Sequence, residues 1–114
     1  MEESLRELES LLRKHGFKGQ GDVVAHVLAL HRAGDRAAFA QAATGLSMWG
    51  GAGSVADTEF RSNSPRPPEE AAADVPRFYR AMIALADGLE RDHLGTPRTR
   101  DIANIFRSWL PRAV

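Results

Sequence analysis

Val75-Pro76-Arg77-Phe78-Tyr79-Arg80-Ala81-Met82-Ile83-Ala84-Leu85-Ala86-Asp87-Gly88-Leu89 is the stretch on which the fold turns. Val75, Phe78, Tyr79, Met82, Leu85, Ala86 and Leu89 recur every three or four residues, the spacing of one helix face, whereas a half-buried strand would alternate. This is read as the fourth main helix, beginning near Asp74 with Pro76 in its first turn and ending at Leu94-Gly95. Glu69 to Ala73, just before it, reads as a short turn.

The same period runs outward in both directions. Downstream, Thr96 caps and Pro97 opens a last helix whose inward face is Ile102, Ile105, Phe106, Trp109 and Leu110, with Pro111 ending it. Upstream, Leu5, Leu8, Leu11 and Leu12 mark a first helix from Glu2 to His15, closed by Gly16. Asp22 caps a second helix through His31 or Arg32. Its Val23, Val24, Val27, Leu28 and Leu30 cover most of the circumference, as in a central buried helix. Asp35 caps a third, Arg36 to Leu46, with Phe39, Ala42, Ala43 and Leu46 inside. The expected fold is all-α: a single bundle-like domain over 1–114, of about five helices around Trp109, Phe106, Phe78 and the second helix. A Gly/Pro-rich loop joins the third and fourth helices, and Arg61 to Pro68 within it forms an exposed proline-rich linker.

Composition removes several classes of function. The 114 residues contain no cysteine, so disulfides, thiolate catalysis and cysteine-held metals are excluded. No spacing suits another metal site, and no cofactor is expected. The amphipathic start Met1-Glu2-Glu3-Ser4 is unlike a signal peptide, and no apolar run approaches the ~20 residues that span a bilayer, so a cytoplasmic protein without a membrane partner is expected. Fifteen basic and fifteen acidic side chains cancel. That balance argues against the broad positive field behind most nucleic-acid binding.

Ser47-Met48-Trp49-Gly50-Gly51-Ala52-Gly53-Ser54-Val55-Ala56-Asp57 is the richest source of candidate chemistry. Successive N–H groups in a glycine turn can cradle an anion, which makes Trp49, Gly50, Gly51, Gly53, Ser54 and Asp57 one candidate binding set. A dinucleotide fingerprint would need a preceding strand. A P-loop would need Lys-Ser/Thr where Gly51-Ala52 stand, and a nucleophile elbow would need glycine in place of Trp49. The competing reading is structural: Met48 and Trp49 anchor the loop and the glycines permit close backbone packing. Met48 to Val55, followed by Asp57, resembles a motif of a group of small bacterial proteins with no known activity. The resemblance implies a bacterial source and brings no reaction with it.

Other residues assemble less. Asp22 and His26 are i,i+4, but His31 lies about 140° further round the helix, poorly placed to share a metal. His15 and His93 stand at helix ends, where a dipole contact accounts for them. Asp57, Glu59, Glu69 and Glu70 are acids that nothing in the sequence pairs for catalysis. Trp49, Trp109, Tyr79, Phe39, Phe78 and Phe106 could line a pocket, but at helical spacing they read as core. Arg100, Asn104 and Arg107 lie opposite the apolar face of the last helix, in the outline of a helix-turn-helix, and Arg98 and Arg112 add to a local basic patch. No catalytic set emerges. The expectation is a non-enzymatic protein-interaction module of regulatory or immunity-like type, with a protein partner and self-association left open. The alternatives are ligand or anion binding at the glycine loop, and nucleic-acid binding through the last helix.

Overall fold

A computed structural model describes residues 1–111, so Arg112 lies outside the described residues. Seven helical segments occur, and no strand is found among the described residues. They are α1 (Glu2–Lys14), α2 (Lys18–Ala33), α3 (Arg36–Ala43), α4 (Leu46–Trp49), α5 (Phe60–Asn63), α6 (Pro68–Arg91) and α7 (Pro97–Trp109). The five longer ones match the expected helices; α4 and α5 are single turns within the glycine–proline connection.

The leucine stripe of α1 is completely covered, because α1 packs against both α2 and α6. Phe78, Met82, Leu85 and Leu89 of α6 meet it from one side, and Val24, Val27 and Leu28 of α2 from the other. α7 packs on α6, and α3 on α2. Three expected helix ends are found. Asp35 accepts the Ala38 N–H at 3.1 Å, Thr96 and Thr99 form a reciprocal capping box, and Gly34 closes α2 in the left-handed region.

Several boundaries differ from expectation. α6 starts at Pro68, six residues before Asp74, so Glu69 to Ala73 is helix and Pro76 is interior. Proline at the first helical position and two glutamates in the first turn favour that start. Pro76 removes one N–H, but the carbonyl it strands belongs to exposed Ala72, where water can satisfy it. α2 begins at Lys18 behind Phe17, and Asp22, rather than capping it, pairs with Arg13 at 2.9 Å. α3 stops at Ala43. The short α4 then turns Leu46 outward, 68% exposed, instead of inward.

The largest correction concerns α7. Its buried residues are Thr99, Ala103 and Phe106, while Ile105 is 46% and Trp109 58% exposed. Trp109 is therefore not the core residue around which the bundle was expected to pack. A helix docked mainly on one neighbour, α6, needs only one ridge. The small side chains of Thr99 and Ala103 let the helices approach closely, rotating Ile105 and Trp109 away from the contact.

Candidate functional site

The glycine loop is folded into the body of the protein. Trp49 is fully buried and donates its indole N–H to the Ala43 carbonyl at 2.6 Å. The chain then doubles back: Val55 and Ala56 donate to the Ser47 and Met48 carbonyls at 2.9 Å. A Cβ at Gly50 would lie 2.5 Å from the Leu46 carbonyl oxygen, and Gly53 has φ +86°. Those two glycines serve a close approach and a left-handed turn. Buried Ser54 donates its hydroxyl to the Gly50 carbonyl at 2.6 Å and accepts the Asp57 N–H at 3.2 Å. Gly51 and Gly53 remain exposed, and Gly53 and Ser54 line a shallow concavity of about 410 Å³ with Gln20, Val23, Leu46 and Ser47. The Trp49 indole and the Ser54 hydroxyl, however, are spent on backbone carbonyls, and the six candidate residues do not share one cleft. Asp57 opens onto a different cleft, the one beside α7.

That cleft is a groove of about 550 Å³ lined by Ala56, Asp57, Thr58, Glu59, Arg61, Tyr79, Phe106 and Trp109. Its aromatic wall is a continuous cluster. Tyr79 stacks on Phe106 with centroids 5.0 Å apart, and Trp109 lies 5.5 Å from Tyr79 and 5.7 Å from Phe106. Its polar wall comes from the end of the glycine loop and the start of α5. There Glu59 caps α5, accepting the Arg61 N–H at 2.7 Å and the Ser62 hydroxyl at 2.6 Å. The Ser62 hydroxyl and then the Arg61 amide hold the Glu59 carboxyl below its ordinary value, so it is ionised at neutral pH. Among the described residues, neither Asp57 nor Arg61 joins an ion pair.

The nucleic-acid candidates are already engaged. Arg100 pairs with Glu90 at 3.1 Å; Arg107 pairs with Asp87 and donates to Asn104 at 2.9 Å. The positive charge of this face is largely matched within the fold.

A second constellation was not legible in the sequence. His15 is fully buried, with Nδ1 2.6 Å from the Ser64 hydroxyl and Nε2 2.8 Å from Asp74, while Phe60 stacks on the imidazole at 4.3 Å. Lys14 and Arg77 also reach Asp74, at 2.7 and 3.1 Å. Burial alone would raise the Asp74 pKa, but the Lys14 ammonium, His15 and Arg77 outweigh it and hold the carboxyl at about 2. Ser–His–Asp contacts invite comparison with a hydrolytic triad, yet the surroundings oppose that role. The Ser64 oxygen accepts the Arg66 N–H at 3.0 Å, the next residue is Pro65, which has no N–H for an oxyanion, and Phe60 covers the imidazole. The network ties α1, the end of α5 and α6 together. Its sequence signal was faint: His15 continues the Leu8–Leu11–Leu12 stripe, and Asp74 lies between Ala71 and Phe78 on the buried face of α6.

Asp22 and His26 are both exposed, and Asp22 is drawn to Arg13. Among the described residues, no group of three His, Asp or Glu side chains could hold a metal. Among the described residues, no helix is long and apolar enough to cross a membrane. Comparison of the chain with family models, curated proteins and solved structures finds no match. The functional reading therefore rests on the geometry of the groove and its rim.

Proposed function

We propose that this protein is a non-enzymatic docking module whose contact face is the Ile105–Trp109 side of α7 with the aromatic groove beside it. One observation carries the reading: Trp109 stands 58% exposed at the rim of a groove walled by two further aromatic rings. Tryptophan is enriched among the residues that dominate binding energy at protein–protein contacts, and Ile105, one turn before Trp109, widens the apolar patch. Regulatory and immunity-like roles are the kind such a module serves.

Neither earlier alternative has comparable support. The glycine loop directs its Ser54 hydroxyl to its own backbone. The arginines of α7 are matched by Glu90 and Asp87.

The test is quantitative co-purification from the source cells with wild-type protein and an Ile105→Ser/Trp109→Ala variant shown to be folded. The reading expects a defined set of proteins to be retained by the wild type and lost by the variant. Equal retention by both would refute it.

A further inference from the structure

We infer that the groove takes an extended, proline-bearing peptide segment that carries an arginine or lysine, the cation lying among Trp109, Asp57 and Glu59. The inference rests on the docking reading above and names its occupant.

The lining is divided evenly. Ala56, Tyr79, Phe106 and Trp109 are apolar or aromatic; Asp57, Thr58, Glu59 and Arg61 are polar or charged. An amphipathic helix lays down an apolar stripe ≳ 100° wide and would strip water from four polar side chains without replacing it. A polyproline II segment suits such a wall better. It has no internal hydrogen bonds, so its carbonyls remain free acceptors, and the Arg61 guanidinium and Tyr79 phenol line the groove as donors. Its proline rings are flat apolar units that pack against aromatic faces, and its backbone is ordered before binding, which lowers the entropic cost of using a shallow groove.

Charge decides the remaining side chain. Two carboxylates and one guanidinium line the groove, and Arg107 and Arg100 on the same helix as Trp109 are balanced by Asp87 and Glu90. Neither Asp57 nor Arg61 joins an ion pair among the described residues, so the two carboxylates leave the lining with one negative charge in excess. The face of an indole also attracts cations. An acidic segment would meet Asp57, Glu59 and the negative face of Trp109 against a single guanidinium, Arg61. The occupant is therefore cationic.

The experiment titrates the full chain with three synthetic peptides, followed by tryptophan fluorescence and calorimetry: Pro-Pro-Arg-Pro-Pro, the same peptide with glutamate for arginine, and the same peptide with glycine for every proline. The arginine–proline peptide should bind best, with each control weaker by about tenfold or more. Asp57→Asn should weaken the arginine peptide about three- to fivefold, the upper range of one exposed ion pair, with an unchanged melting temperature. Trp109→Ala should abolish binding. No binding of the arginine peptide, or equal binding of the glutamate peptide, overturns the inference. If the peptides fail while partner proteins are still lost from the Ile105→Ser/Trp109→Ala variant, the occupant is wrong and the docking face stands. If the variant loses nothing, the docking face itself is wrong.

Discussion

Replacing Trp109 with alanine should leave the protein folded and only modestly weakened, the opposite of what the apolar periodicity of α7 implies. Trp109 is 58% exposed, so a little over two-fifths of its surface is covered. On a side chain of up to roughly 250 Å² that is about 100 Å², or about 2.5 kcal/mol at ~25 cal/mol per Å². The unfolded chain already covers part of that area, and alanine is a better helix former than tryptophan by a few tenths of a kcal/mol. The expected loss is about 1–2 kcal/mol. Trp49 supplies the control. It is fully buried and donates to the Ala43 carbonyl, so Trp49→Ala should cost about 4 kcal/mol or more. Urea unfolding of the two variants measures both losses. Because the chain has two tryptophans, Trp49→Phe and Trp109→Phe also give single-tryptophan proteins. Trp109 should emit as a solvated indole that iodide quenches, and Trp49 as a shielded one. A Trp109→Ala loss equal to that of Trp49→Ala, with Trp109 emission unquenched, would refute the exposed placement and the docking face with it.

Other expectations follow from particular contacts. Asp74 ionises at about 2 in the folded protein, against an ordinary 3.8. Its contribution to stability is therefore complete above pH ~4 and is lost as pH falls toward 2. With Lys14 and Arg77 partly solvated, we set it at about 1–2 kcal/mol, and Asp74→Asn should flatten the acid limb of a stability–pH curve. A Cβ on Gly50 would meet the Leu46 carbonyl oxygen at 2.5 Å, whereas one on Gly51 meets nothing within 4 Å. Gly50→Ala should lower the urea midpoint clearly and Gly51→Ala hardly at all; equal effects would deny the close approach. In a low-salt mobility-shift assay the protein should leave DNA and RNA unretarded. A shift abolished by Arg100→Ala plus Arg107→Ala would revive the nucleic-acid reading.

The helices were legible because their stripes are regular and their ends carry distinctive residues: Asp35, Thr96 and Gly34 each close or cap where expected. The beginning of α6 was obscured because Pro76 looks like a helix-opening proline, although Pro68 occupies that position. The error at α7 has a different origin. Ile102, Ile105, Phe106 and Trp109 form a wide stripe, and periodicity says that such a stripe exists without saying how much of it a single neighbour covers. The candidate site suffered for the same reason. The sequence singles out Asp57, and its core reading holds for Phe106, which is buried, and for Tyr79, which packs against the core; Trp109 departs from it, since only tertiary packing separates a buried aromatic from one at a rim. The His15–Ser64–Asp74 network joins positions 49 and 59 residues apart, and such pairings leave no mark in local spacing.

Site-specific photo-crosslinking tests the central claim most directly. A photoreactive residue placed at position 105 on α7, compared with one at position 51 in the glycine loop, should give protein adducts from 105 and none from 51 in the source cells. Adducts from position 51 with none from 105 would contradict the account and move the contact surface to the glycine loop.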